Sequence, residues 1–73
     1  MTFTRLKTTK QLEPEHKGRR VLYVPKHAKG NPEHPDCELG NISSWNLLYV
    51  FVRYDGELQP KATEPKYLYL TKQ

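Results

Sequence analysis

The chain reads as an all-β protein, a small barrel of five short strands, and three observations predict it. Runs rich in β-branched and aromatic residues recur at 19–24 (RRVLYV), 47–54 (LLYVFVRY) and 67–70 (YLYL), and such runs fit a pleated, half-buried surface. Proline, glycine, asparagine and aspartate gather between them, the residue types that turn a chain. At 73 residues the chain makes one domain, and closing a few short strands on themselves removes the edges that would otherwise pair with other chains.

Composition sets the scale of the core. Hydrophobic residues are 36% of the chain and mean hydropathy is −0.86, polar for a domain that buries roughly 60% of its unfolded surface. Five Tyr, two Phe and one Trp offset this, because each aromatic removes a large area from water.

Taken in order, residues 1–10 are basic and Thr-rich, with Phe3 and Leu6 as anchors after Met1. Their alternation is imperfect, so the segment 1–17 is set apart as a basic tail without fixed structure or an extra edge strand. The barrel is assigned to 18–73. Pro14 and Gly18 mark 11–18 as a loop. Residues 19–24 form the first strand, stopped by Pro25. The stretch 26–38 (KHAKGNPEHPDCE) is a long first loop, since its prolines exclude a helix interior and push Asn31 and His34 to extended geometry. Long loops in compact domains tend to carry function.

Residues 39–44 read as a short strand and 44–46 as a turn. The clearest strand is 47–54, and period-two alternation puts Leu48, Val50, Val52 and Tyr54 on the core face. Asp55-Gly56 is a hairpin-type turn signal. A strand broken by Pro60 occupies 57–63. Residues 63–66 form a single 3₁₀ turn with Thr63 as N-cap, and 67–70 closes the fold with Leu68 and Leu70 inward.

The single Cys excludes an internal disulfide. No apolar start of signal-peptide type is visible, and the apolar run 47–52 is far shorter than the ~20 residues of a membrane span. The expectation is a cytoplasmic protein without membrane contact, a monomer or weak homodimer. The net charge is +4. Its excess sits in residues 1–20, with six basic residues against two acidic, which suits an anionic partner.

Candidate chemistry centres on the long loop. His27, His34 and Cys37, with Asp36 or His16, offer metal-binding types. No Cys-x-x-Cys pair accompanies them and a structural zinc site takes four ligands, so no metal or other cofactor is expected. Cys37 as a nucleophile beside His34 and Asp36 has no oxyanion-stabilising feature near it, so an enzyme is not expected. The bland alternative is that His34 and Asp36 tie down the loop while Cys37 packs as a small apolar residue.

The strand and loop order is similar to SH3-like barrels, including the Tudor and KOW types, in which a long first loop and a 3₁₀ turn before the last strand are usual. The matching pieces are 19–24, the 26–38 loop, 40–44, 47–54 and the 63–70 ending, so the resemblance covers roughly residues 18 to 70. The wording VLYVP, HPDCE and VFVRY also resembles small phage- or prophage-encoded proteins. The resemblance implies a binding module and supplies no catalytic residues.

Two partners follow. A protein partner is the first expectation, engaged through the 26–38 loop and nearby aromatics, with Trp45, His27, His34, Asp36, Tyr49, Arg53 and Tyr67 as binding residues; Trp, Tyr and Arg are the usual interface anchors. Trp45 folded back over the barrel end is its bland counterpart. Nucleic acid is the alternative. Arg5, Lys7, Lys10, Arg19, Arg20, Arg53, Lys61 and Lys66 would track phosphates, and Tyr23, Trp45, Tyr49, Tyr67 and Tyr69 would stack bases.

Overall fold

The computed structural model describes residues 3–71; residues 1, 2, 72 and 73, the outermost positions of the two segments delimited above, lie outside it. The strands are β1 (Phe3–Arg5), β2 (Arg20–Tyr23), β3 (Glu38–Trp45), β4 (Val50–Tyr54), β5 (Lys61–Thr63) and β6 (Leu68–Thr71). Single 3₁₀ turns lie at Thr9–Gln11, Pro14–His16, Lys26–Ala28 and Pro65–Tyr67. All strand pairs are antiparallel, in one sheet of order β1-β6-β2-β3-β4-β5. The chain is all-β.

Strand number and closure differ from expectation. Among the described residues there are six strands rather than five, and the ladder they form is open, with β1 and β5 at its edges. The sixth strand comes from the basic N-terminal segment: Phe3, Thr4 and Arg5 pair with Thr71, Leu70 and Tyr69. Two anchors hold it. Leu6 is completely buried in the main core, and the Phe3 ring meets Tyr69 edge-on at 6.5 Å. The segment caps what would be the free edge of β6, the liability that closure would otherwise remove.

The sheet is nevertheless curled. Six flat strands at about 4.8 Å spacing would make a slab some 24 Å wide and about 10 Å thick, whereas the molecule measures 28 × 25 × 24 Å. The long strand β3 does the bending. Its first half pairs with β2, its second half with β4, and the register shifts between Ile42 and Ser44, a bulge that increases local twist. Gly40 sits where β2, β3 and β4 lie side by side. A Cβ there would stand 2.7 Å from both the Arg53 carbonyl oxygen and Val52 Cγ1, so only glycine fits.

Inside the curl, Leu6, Leu12, Val21, Ile42, Val50, Val52, Tyr54, Leu68 and Leu70 form one core. The Tyr54 hydroxyl shares a 2.7 Å hydrogen bond with Thr63 Oγ1, and burial pushes its pKa up to about 12. A second, smaller cluster of Leu22, Val24 and Ala28 lies under the long loop, flanked by Phe3, Cys37 and Tyr69.

Three local expectations shift. β4 begins at Val50, not at residue 47, because Asn46 Oδ1 accepts the amides of Leu48 and Tyr49, both at 2.8 Å. That Asx-type turn consumes the would-be start of the strand and leaves Leu48 exposed instead of in the core. Glu64, not Thr63, is the N-cap of the last single turn, since Thr63 is buried on Tyr54. The strand expected at 39–44 runs on through Trp45, the middle of the expected turn 44–46, and Leu39 near its start is 40% exposed. Among the described residues, no helix is long and apolar enough to cross a membrane.

Candidate functional site

The residues picked out in the sequence fall on two ends of β3. His27, His34 and Asp36 lie on the loop that enters it, and Trp45 and Tyr49 lie at the turn that leaves it. Seven residues of strand, roughly 20 Å at 3.3 Å per residue, separate those ends. The loop and Trp45 therefore do not form one surface. Trp45 is half-buried and packs against the main core, which is the lid arrangement. Tyr49 is 39% exposed beside Leu47 and Leu48, at 84% and 71%. It lines a shallow cleft with Lys7, Leu48, Pro65 and Lys66. Arg53 projects elsewhere, into a cleft with Asn41, Ser43 and Leu58.

The cations divide into two kinds. Arg19 donates from Nε and Nη2 to the Thr71 carbonyl, at 3.2 and 2.9 Å. Arg20 forms a forked pair with Asp55, with Nη1 at 2.7 Å from Oδ1, and also reaches Asn41. That pair raises the Arg20 pKa and holds Asp55 below the usual carboxylate range. Lys61 is paired with Glu57 four residues earlier. These three are occupied within the molecule. Lys10 is exposed on the turn Thr9–Gln11. Tyr23 is wedged edge-on between Tyr54 and Tyr67, with centroids at 6.0 and 6.4 Å.

Four other cations converge. Arg5, Lys26, Lys29 and Lys66 surround one cleft of about 240 Å³, with Tyr67 and Tyr69 in its wall. Three separate segments build it. Arg5 comes from the edge strand and is oriented by its Nε bond to the Lys66 carbonyl, 3.0 Å. Lys66 and Tyr67 come from the single turn before β6, and Lys66 Nζ lies 5.3 Å from the centroid of the Tyr67 ring, within cation–π range. Lys26 and Lys29 come from the start of the long loop. Lys29 takes a left-handed conformation (φ 51°) and Gly30 follows it with φ +77°. That reversal brings the Gly30 backbone close enough to Tyr69 that a Cβ would lie 3.7 Å from its hydroxyl. Among the described residues, Lys66 is paired with Glu64 at 3.4 Å, whereas no ion pair engages Arg5, Lys26 or Lys29.

No protein-family model, curated protein or solved structure matches this chain. The site must speak through its own geometry.

In a neighbouring cleft of the same loop, His27 Nε2 and Asp36 Oδ2 are 2.7 Å apart, and His34 Nδ1 accepts the Asp36 amide at 3.0 Å. Both imidazoles help hold the Asp36 carboxyl below its ordinary value, the His27 hydrogen bond first. His16 is elsewhere, accepting the Glu13 amide at 2.9 Å. The Cys37 thiol donates to the Asn31 carbonyl at 3.4 Å and burial pushes its pKa up, away from the thiolate that a nucleophile needs.

Lys26 and Lys29 escaped the sequence reading because the loop carries a net charge of minus one, and averaging hid two cations on one side of it. A signal was present: they are three residues apart, just before a glycine, and separated in sequence from Glu33, Asp36 and Glu38.

Proposed function

We infer that this chain is a non-enzymatic binding module of SH3-like type, with β1 as an added edge strand, whose cleft takes a phosphate-bearing single strand of nucleic acid. The long connection between β2 and β3, and the single turn Pro65–Tyr67 before β6, support the fold part of this reading. The observation that carries the function is the convergence of Arg5, Lys26, Lys29 and Lys66 on a cleft walled by Tyr67 and Tyr69. Cations neutralise phosphates and release counterions, and tyrosine faces stack bases without regard to sequence. A volume of about 240 Å³ lies below the range of pockets that enclose whole small molecules. It suits one repeating unit of a longer ligand that runs across the surface. In this reading the module is a phage or prophage accessory protein acting in the cytoplasm.

Anisotropy of a labelled single-stranded oligonucleotide tests it, at about 50 and 200 mM salt. Log affinity should fall with log salt at a slope of roughly −2 to −3, the value for three or four phosphate contacts on a single strand. Absence of binding at the lower salt, or affinity indifferent to salt, sinks the nucleic-acid reading.

A protein partner has an observation of its own. Leu47, Leu48 and Tyr49 stand exposed together at the tip of the β3–β4 turn, and contiguous apolar surface of this kind marks protein contacts. Under this second reading, binding is insensitive to salt and is lost in Leu48→Ser. That same substitution leaves oligonucleotide affinity unchanged.

A further inference from the structure

We propose that His27, His34 and Asp36 form a divalent transition-metal site, best suited to Zn²⁺, on the long loop beside a cleft distinct from the lysine cleft. The site goes beyond the nucleic-acid reading and does not depend on it. Lys26 and His27 are neighbours in sequence, yet they line different clefts.

Donor atoms of the three side chains lie within 4.8 Å of one another. Ligands held tetrahedrally at 2.0–2.1 Å sit about 3.3 Å apart, so capture asks for shifts of under about 2 Å. His27 is 62% exposed and Asp36 is 60% exposed, so their side chains have room to make those shifts. His34 Nδ1 accepts a hydrogen bond from the Asp36 amide here, through the lone pair that a metal ion would take. The His34 ring stands edge-on to His27 at 5.1 Å, which brings a second imidazole to the His27–Asp36 pair. A proton bridges only His27 and Asp36, whereas a divalent ion can take a lone pair from all three side chains at once. On binding, the ion replaces the proton between His27 and Asp36 and displaces the Asp36 amide from His34.

The loop is stiff enough to present the set. Pro32 and Pro35 fix two backbone dihedrals. Successive turns link His34 N to the Asn31 carbonyl and Cys37 N to the His34 carbonyl, at 3.2 and 3.0 Å. Two imidazoles and a carboxylate suit zinc and its neighbours over magnesium or calcium, which prefer all-oxygen shells. Three protein ligands leave a coordination position open, unlike a closed structural site. His27 and Asp36 line a cleft together with Tyr23, Pro35 and Glu38.

The test is calorimetric titration of the untagged full chain with zinc chloride, together with NMR of the histidine rings. One ion per chain is expected, with the His27 and His34 signals shifting and that of His16 unmoved. His34→Gln and Asp36→Asn should each weaken affinity at least about tenfold, with the backbone spectrum outside the loop unchanged, while Cys37→Ser leaves it intact. The proposal is overturned by no heat of binding up to millimolar zinc, by undiminished affinity in both His34→Gln and Asp36→Asn, or by loss that follows His16 or Cys37 instead.

Discussion

Two basic regions of this molecule carry similar charge and do opposite work. Arg19 and Arg20 are adjacent and dominate the basic stretch of the sequence. In the fold, Arg19 clamps the Thr71 carbonyl and Arg20 is forked onto Asp55. The Thr71 hydroxyl returns a 3.0 Å bond to the Arg20 carbonyl. Their guanidiniums stitch the start of β2 to the end of β6 and to the β4 turn. Arg5, Lys26, Lys29 and Lys66 are scattered over sixty residues, yet they meet around one cleft. A charge already satisfied inside a protein releases few counterions when a phosphate arrives. Charge density along a sequence is therefore a poor guide to charge that a partner can use.

The largest effect should come from the cleft. Lys26→Ser with Lys29→Ser removes two free cations, and at about 0.1 M salt each single-strand phosphate contact is worth about fivefold in affinity. Oligonucleotide binding should fall about 25-fold and the salt slope by about 1.4, with the thermal midpoint unchanged, read by anisotropy and by calorimetry. A stability loss with intact binding would invert the contrast between the two regions.

The framework arginines should show the reverse pattern. Arg19→Gln gives up the bidentate contact to Thr71, worth about 1 kcal/mol, or roughly 4–8 °C in a domain this size. Affinity for the oligonucleotide should move by less than about twofold, because the charge lost was occupied and lies away from the cleft. Paired melts and titrations of this variant and of the lysine double variant decide between the assignments.

That contrast also explains what could and could not be read from the chain. β2 and β4 were legible because β-branched and aromatic runs need no distant partner to announce themselves, and alternation correctly put Val50, Val52, Tyr54, Leu68 and Leu70 inside. The Asp55-Gly56 turn was legible because Gly56 takes φ +84°, at which other residues are strained. β1 was not. It has three residues and no alternation, and it exists because β6, more than sixty positions away, offers an unpaired edge. Its anchor Leu6 is buried in the core, so deleting the segment would unfold the protein rather than test its charge. The cleft was illegible for the same reason: its residues come from β1, the long loop and the turn before β6, and only strand pairing brings those together. His27, His34 and Asp36 were legible as a group because Gly30, Asn31, Pro32 and Pro35 mark turns, and those turns fold the loop back on itself.

The smallest effect separates the two regions by acid. Asp55 is held below its ordinary pKa by Arg20, and Asp36 below its own chiefly by the hydrogen bond from His27. A carboxyl whose folded pKa is depressed contributes stability that is present above its unfolded value and lost as pH falls through the folded one. Both losses therefore begin below about pH 4. They differ in what fails. Asp55 joins β2 to the β4 turn, so its protonation weakens the global fold, and Asp55→Asn should lower the melting midpoint at neutral pH and flatten its decline in acid. Asp36 ties one part of the long loop to another, and loops open locally at lower free energy than the sheet. Asp36→Asn should therefore leave the global midpoint almost unmoved at every pH while raising amide exchange at positions 34–37. Melts from pH 2 to 7 with exchange mass spectrometry read both. Equal global losses in the two variants would mean that the long loop folds as one unit with the framework, and the division between a structural and a presenting region would fail.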